Sequence, residues 1–109
     1  MRSNGINEKD LILEKNFVFV LTPFHSRFKE EFYTIKTICQ NAGLKCLRGD
    51  ETYINGDIFP IVLKYILKAD FIIANIDGRN SNVLYELGIA QALDKNVILI
   101  SKQPEDLPI

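Results

Sequence analysis

The feature that most restricts how this chain can fold is an alternation of short apolar runs with longer stretches of helical periodicity. Residues 17–21, 71–74 and 97–100 are continuous apolar runs, and a weaker run covers 44–47. Short runs rich in β-branched and aromatic side chains are typical of strands buried on both faces of a sheet. The sequence therefore predicts four strands.

Segments with apolar side chains at helical spacing separate the four predicted strands. In the first helix Ser26 is a candidate N-cap, and residues 41–43 supply a stop. In the second helix Asp57 is the candidate N-cap, and Pro60 is tolerated in the first turn. The third helix is predicted from about Asn82 to Leu93.

Strands that alternate with helices form right-handed βαβ units, and such units build a parallel sheet with helices on both faces. We therefore expect the α/β class, as a flavodoxin-like or Rossmann-like three-layer sandwich with strand order 2-1-3-4. Ligands bind such sheets at the carboxyl ends of the strands, where the strand order reverses. That crevice is predicted between strands one and three, beside the loops 22–25 and 77–82, with the loop 48–51 nearby.

The ends of the chain suggest where the domain lies. The sequence stops soon after the fourth predicted strand, whereas a doubly wound domain usually continues into another helix and an edge strand. We expect the domain to be incomplete at this end, before a fifth strand. Residues 1–15 are polar apart from one short apolar patch, so they are predicted to be a leader or linker, and residues 16–109 the domain.

Composition and charge argue against several classes of protein. A net charge of −1 provides no basic surface for nucleic acid or for an anionic membrane. No apolar run approaches the roughly 20 residues of a membrane span, and charged residues interrupt the N-terminal segment as they would not in a signal peptide. With only Cys39 and Cys46 as thiols, we expect a cytoplasmic protein with reduced cysteines. Metal-ligand spacing, a P-loop and a dinucleotide fingerprint are lacking, and no cofactor is expected.

Glu86 is the functional candidate that the residues themselves single out. It is the only charged residue between Arg79 and Asp94, on a predicted helix that is apolar almost all round. A carboxylate on a largely buried helix is costly unless it is paired, hydrogen-bonded or facing a polar cleft, and this favours a functional acid. The N-terminus of the same helix points at the predicted crevice, where free N–H groups favour a phosphate. Alternatively, Glu86 only complements the helix dipole.

Gly88 lies on the same predicted helix, two residues after Glu86. Because glycine lacks a Cβ, this position permits close approach of another chain or of a ligand. Alternatively, the glycine only relieves crowding against the sheet.

The segment from Asp77 to Ala90, followed by residues 93–99, closely resembles the nucleoside 2-deoxyribosyltransferase-like superfamily, and more narrowly its TIR-like, nucleotide-binding branch. The specific part of the motif is Tyr-Glu-Leu-Gly at 85–88 with the preceding Arg-Asn-x-Asn-Val at 79–83. Weaker similarity extends upstream to 17–24, 48–51 and 55–58, so the resemblance covers about residues 17–101.

This resemblance implies cleavage or transfer at the N-glycosidic bond between a (deoxy)ribose and a base. Glu86 occupies the position of the glutamate that attacks the anomeric carbon in transferases of the superfamily, and a helix glutamate also serves sugar cleavage in related TIR-domain NAD hydrolases. A carboxylate suits such chemistry because the transition state is oxocarbenium-like. The implied ligand is a nucleoside or nucleotide, with NAD included, and we expect a homo-oligomer or an attached domain.

The chain departs from the family pattern at Asn75, where the TIR-like branch typically has an acidic residue. Asp77 is the candidate second carboxyl group, which would protonate the leaving base; alternatively, it only caps the turn before Gly78. One residue of 80–82 must also cap the third helix. The candidates for substrate binding are Phe24, Asp50, Asn75, Gly78, Arg79, Asn80, Asn82 and Tyr85.

Two functions of different classes therefore stay open from the sequence. The first is an enzyme, an N-glycoside hydrolase or N-deoxyribosyltransferase that acts on a (deoxy)nucleoside, a nucleotide or NAD through Glu86. The second is a non-catalytic TIR-like module that senses a nucleotide within a larger protein. Asn75 in place of an acid favours the second function, and the Tyr-Glu-Leu-Gly match favours the first.

Overall fold

A computed structural model describes residues 12–23, 26–49 and 59–103 of the chain. In these residues strands and helices alternate as the sequence predicts. The strands are β1 (Glu14–Leu21), β2 (Lys45–Arg48), β3 (Ala69–Asn75) and β4 (Val97–Ile100). The helices are α1 (Lys29–Asn41), α2 (Phe59–Lys68) and α3 (Ser81–Ala92).

The four strands form one parallel sheet in the order β2-β1-β3-β4. Val20 pairs with Arg48 on one side of β1, and Leu21 pairs with Ala74 on the other. Asn75, the last residue of β3, pairs with Ile100, the last residue of β4. The carboxyl ends of the strands therefore meet at one edge of the sheet. The flavodoxin-like strand order predicted from the sequence is confirmed.

Alternate side chains of each strand enter two separate apolar clusters, one on each face of the sheet. Phe17, Phe19 and Leu21 of β1 pack with side chains of α2 and α3. Val18 and Val20 pack with side chains of α1 and β2 on the opposite face. Since every residue from 17 to 21 is buried, the prediction of a strand covered on both faces is confirmed. The result is the expected three-layer sandwich, with α1 on one face and α2 and α3 on the other.

Two local predictions near α1 and β2 were wrong. Ser26 begins a 3-10 turn, and α1 follows it with Phe28 at the N-cap and no side-chain cap bond. Arg48, predicted to begin a polar loop, is the last residue of β2 and only 7% exposed. Its guanidinium lies 4.5 Å from the ring centroid of Phe32, and this cation–π contact explains how a charged side chain is buried there.

Helix α3 begins and ends within one residue of its predicted bounds, but it is less buried than predicted. Only Val83, Leu87 and Ala90 are buried, whereas Leu84 and Tyr85 are exposed. Both α3 and α2 cover the same face of a narrow sheet, so each can bury only one side of its surface.

Other predictions have these outcomes. Cys39 and Cys46 are both buried, and neither forms a disulfide. No helix within the described residues is long and apolar enough to cross a membrane. The predicted cap Asp57 lies outside the described residues. So does most of the predicted leader, although its last two residues, 14 and 15, belong to β1.

Candidate functional site

The loop that leaves β3 is a tight turn at the carboxyl edge of the sheet. Residues Asp77–Arg79 form a 3-10 turn in which Gly78 has φ +75° and Arg79 has φ +53°. The positive φ of Gly78 is a backbone conformation that favours glycine, and a Cβ on this residue would also lie 3.3 Å from Nη2 of the Arg27 side chain. The turn ends at Asn80, whose Oδ1 accepts a hydrogen bond from the Val83 N–H at 3.1 Å and caps α3.

Asn75 uses its whole side-chain amide to join this turn to α1. Its Nδ2 donates to Oε2 of Glu31 at 2.9 Å, and its Oδ1 accepts from the backbone N–H of Asp77 at 3.0 Å. The side chain is 2% exposed. An aspartate here would place a second carboxylate against Glu31, so the amide and Glu31 fit each other.

Asp77 fastens the same turn to the end of β4. Its Oδ1 accepts from the Ser101 hydroxyl at 3.0 Å and from the Lys102 backbone N–H at 3.3 Å. The Lys102 ammonium in turn lies 3.1 Å from Oε1 of Glu31. Residues from α1, β3 and the segment after β4 thus form one polar network at the carboxyl edge of the sheet.

Among the described residues, three cavities open along this edge. Two of them, of about 230 and 300 Å³, share the lining residues Arg27, Phe28, Asp77 and Gly78. The third, of about 420 Å³, lies between α1 and the ends of β3 and β4, beside Glu31, Asn75 and Lys102 among others. The carboxyl edge is where ligands bind sheets of this type, so the cavities occur where the fold predicts them.

Glu86 lies on the flank of α3, next to its buried side. It directly precedes the buried Leu87 and is three residues from Val83, so its carboxyl group is partly withdrawn from solvent. Burial raises the pKa of Glu86 from its ordinary value of 4.5 to about 7. Among the described residues none forms a hydrogen bond or an ion pair with this carboxyl group. A half-buried acid that no neighbour neutralises is a common feature of functional sites.

Glu86 and Asn75 belong to different layers of the sandwich. Asn75 lies on the face of β3 that carries Phe71 and Ile73, towards α1, as its bond to Glu31 shows. Helix α3 packs on the other face, and Glu86 lines none of the three cavities. The structure therefore brings Asn75 and Asp77 together with Glu31, and places Glu86 on the opposite layer.

The other residues predicted from the sequence are distributed as follows. Asn80 caps α3, while Arg79 and Asn82 are exposed at the start of this helix. Tyr85 is 61% exposed. Phe24 and Asp50 lie outside the described residues. No group of side chains that could hold a metal ion occurs in the part of the chain that the structure describes.

Three residues of this edge were missed from the sequence: Arg27, Glu31 and Lys102. Arg27 stacks on Phe28 at 4.7 Å and lines two of the cavities. Glu31 appears in the sequence only as an acid in the first turn of a helix, and its partner Asn75 is 44 residues away. No local pattern signals such a contact, because it depends on the packing of α1 against β3.

Comparison with known proteins gives similarity of structure without similarity of sequence. No protein-family model matches the chain, and no curated protein matches its sequence. A 2-deoxyribosyltransferase from Bacillus psychrosaccharolyticus, a biocatalyst for nucleoside synthesis, superposes with a TM-score of 0.75 at 18% identity. That match covers 84% of this chain and 77% of the enzyme.

A TIR-STING receptor from C. gigas superposes with a TM-score of 0.66 at 15% identity. The match covers 89% of this chain, which spans only 36% of the receptor. Both similarities agree with the resemblance of the motif at 77–90. The chain therefore has the nucleoside 2-deoxyribosyltransferase-like, TIR-like fold.

Proposed function

We propose that this domain binds a nucleoside or nucleotide, NAD included, and acts on its N-glycosidic bond through Glu86. The observation that carries the proposal is the half-buried carboxyl group of Glu86, which has no partner among the described residues. It lies in the second turn of a helix that starts at the carboxyl edge of the sheet. The motif at 85–88 and the shared fold support the same assignment.

The chemistry requires a carboxylate close to the anomeric carbon of the sugar. As the C–N bond breaks, its electron pair leaves with the base, and the developing oxocarbenium ion is stabilised by the carboxylate or bonded to one of its oxygens. Water or a second base then takes the sugar. With a pKa of about 7, Glu86 exists in both protonation states near neutral pH, and only the ionised form can attack.

Asp77 is the proposed second carboxyl group, which donates a proton to the departing base. It lines two cavities at the edge of the sheet whose lining does not include Glu86, so a substrate held there must extend along α3 for its sugar to reach the Glu86 carboxyl group. Substrate contacts by Phe24, Asp50, Arg79, Asn82 and the other predicted residues stay predictions, as does homo-oligomer formation or attachment to another domain.

One observation favours a second candidate function, a non-catalytic module that senses a nucleotide. Asn75 replaces the acid of the TIR-like branch, and its amide bonds to Glu31 and to the turn. Asp77 in turn accepts two hydrogen bonds from the segment after β4. Residues arranged in this way stabilise the edge of the sheet, and they suit a binding site whose chemistry has been lost.

Incubation with nucleosides, nucleoside monophosphates and NAD, scored for free base, separates the two functions. The enzyme requires base release by the wild-type protein and its loss in Glu86→Gln, which keeps the size of the side chain. Asp94→Asn, a change of an exposed carboxylate in the turn after α3 that lines none of the three cavities, is the matched control and should keep the activity. Nucleotide binding by calorimetry without turnover would support the sensor, and the absence of both would refute the site.

A further inference from the structure

Four residues at the carboxyl edge of the sheet form a closed ring of polar contacts. Oε2 of Glu31 accepts from Asn75 at 2.9 Å, and Oδ1 of Asn75 accepts from the Asp77 N–H at 3.0 Å. Oδ1 of Asp77 accepts from the Lys102 backbone N–H at 3.3 Å, and the Lys102 ammonium lies 3.1 Å from Oε1 of Glu31. Each residue of the ring therefore contacts two others, so a change in one is transmitted to the rest.

The contacts of Asp77 occupy one oxygen of its carboxyl group and leave the other open. Oδ1 accepts from the Ser101 hydroxyl at 3.0 Å as well as from the Lys102 N–H. Among the described residues none donates a hydrogen bond to Oδ2. Because a backbone N–H only donates, Oδ1 stays an acceptor, and a proton on this carboxyl group belongs on Oδ2. Asp77 lines the cavities of about 230 and 300 Å³, so Oδ2 is its oxygen available to a ligand.

Glu31 sets the direction of the ring because it fixes the Asn75 amide. An amide can present either its oxygen or its NH2 group to a neighbour. Since Glu31 accepts from Nδ2, the Asn75 oxygen is the group turned to the Asp77 N–H. Asn75 is 2% exposed, so little water is available to replace Glu31. The Lys102 side chain is 70% exposed, and an ion pair with so exposed a partner contributes little.

We propose that Glu31 is a positioning residue, which through Asn75 holds Asp77 so that Oδ2 is presented to the ligand at the carboxyl edge. This inference rests on the proposed function, and it adds a residue of α1 that lies far from the motif at 79–88. In the proposed reaction Oδ2–H gives its proton to the nitrogen of the departing base, and Asp77 is left as a carboxylate. A carboxyl group that is already oriented also loses less conformational entropy when the ligand binds.

Hydrogen exchange of the Asp77 backbone amide, followed by NMR on the full chain, tests the positioning without any ligand. In the wild type this N–H is bonded to Asn75 and should exchange slowly. Glu31→Leu removes the acceptor of the Asn75 amide and should raise the exchange rate of Asp77 at least about tenfold, the equivalent of ~1.4 kcal/mol. Glu31→Gln keeps an oxygen that accepts from Asn75, so it should leave the rate within about threefold of the wild type.

Two controls separate this effect from a general loss of structure. Glu30→Leu makes the same change at the preceding, exposed glutamate and should leave the exchange of Asp77 unchanged. The Val83 N–H, bonded to Asn80 outside the ring, should exchange at the same rate in every variant. Unchanged exchange of Asp77 in Glu31→Leu would overturn the proposal, and so would acceleration of Asp77 and Val83 to the same extent.

A reciprocal exchange of groups keeps the test decisive if Glu31→Leu does not fold. Asn75→Asp alone places two carboxylates together and should accelerate the exchange of the Asp77 amide. In the double variant Asn75→Asp with Glu31→Gln, the new amide at position 31 can donate to the new carboxylate, so the slow exchange of Asp77 should return. Equal exchange rates in the single and the double variant would refute the control of Asp77 by Glu31.

The effect on the site is measured by calorimetric titration with AMP and with NAD. Glu31→Leu should raise the dissociation constant of the bound probe at least about tenfold, the equivalent of ~1.4 kcal/mol, while Glu31→Gln and the control Asp94→Asn should leave it nearly unchanged. An unchanged affinity in Glu31→Leu, although Asp77 exchanges faster, would make the ring purely structural and overturn the proposal. If the wild type binds neither probe and releases no base, the proposed function fails, whereas the exchange rates still decide whether Glu31 positions Asp77.

Discussion

Replacing Glu86 by glutamine is expected to stabilise the protein at neutral pH. The carboxyl group lies beside the buried side of α3, where its pKa rises from 4.5 to about 7 because burial disfavours the charged form. In the unfolded chain Glu86 ionises near its ordinary pKa, so an ionised Glu86 lowers the free energy of unfolding of the folded protein. Glutamine has nearly the same shape and no charge, and it removes this cost.

The size of the effect follows from the two pKa values. Their difference, about 7 minus 4.5, is about 2.5, and each pKa unit corresponds to ~1.4 kcal/mol, so the upper limit of the cost is about 3.5 kcal/mol. Because the carboxyl group is only partly buried, solvent screening reduces the expected cost to about 1–2 kcal/mol. The cost is absent below pH 4.5, where the group is protonated in both states. It grows between pH 4.5 and 7, where only the unfolded state is ionised, and it is constant above pH 7.

Urea unfolding of both proteins at a series of pH values from 4 to 8, at constant ionic strength, measures this difference. The free energy of unfolding of Glu86→Gln should equal that of the wild type at the acidic end and exceed it by about 1–2 kcal/mol at pH 8. Glu30→Gln controls for loss of one exposed carboxylate and should differ by less than about 0.5 kcal/mol throughout. A difference for Glu86→Gln that is flat with pH would refute the burial of this charge.

Further predictions concern the network at the carboxyl edge, the turn and the reaction. Asn75→Asp places a carboxylate against Glu31, and protonating one of the two carboxylates at pH 7 costs up to about 4 kcal/mol. Urea unfolding should therefore show a loss of stability at pH 7, and this loss should become smaller towards pH 4. Adding Glu31→Gln to this variant moves the amide to position 31 and the carboxylate to position 75, so it should restore most of the lost stability. If it does not, the hydrogen bond between these two side chains is not what stabilises the carboxyl edge of the sheet. Asn80→Ala removes the cap of α3 and should lower the free energy of unfolding by about 1 kcal/mol, with Asn82→Ala, which caps nothing, as its comparison. If base release occurs, its kcat/KM should rise with pH up to about 7 as Glu86 ionises, and a profile that falls over this range would instead make Glu86 the proton donor.

The turn after β3 shows how far local sequence predicts a site. Gly78, Asn80 and Ser81 between an apolar run and a helical segment predict a turn and a cap, because both depend on residues a few positions apart. The structure confirms the cap at Asn80. Local sequence could not predict the partners of Asn75 and Asp77. Glu31 reaches Asn75 only because α1 packs on β3, and Ser101 reaches Asp77 only because β4 pairs with β3.

For helix α3 the sequence predicted more burial than the structure has. Its composition predicted burial on nearly all sides, whereas the narrow sheet and the neighbouring α2 leave Leu84 and Tyr85 exposed. Periodicity reports which residues are apolar, but the number of surfaces available to cover them is a property of the whole fold.

By itself the sequence determined the alternation of strands and helices and the strand order β2-β1-β3-β4, because these follow from local periodicity and chain connectivity. It also made Glu86 the functional candidate, as a single charge on an apolar helix. Only the tertiary structure decided that Asn75 bonds to Glu31, that Glu86 lies in the opposite layer, and that Gly88 faces open space among the described residues. Those facts depend on which face of the sheet each element covers, and packing sets that choice over separations of tens of residues.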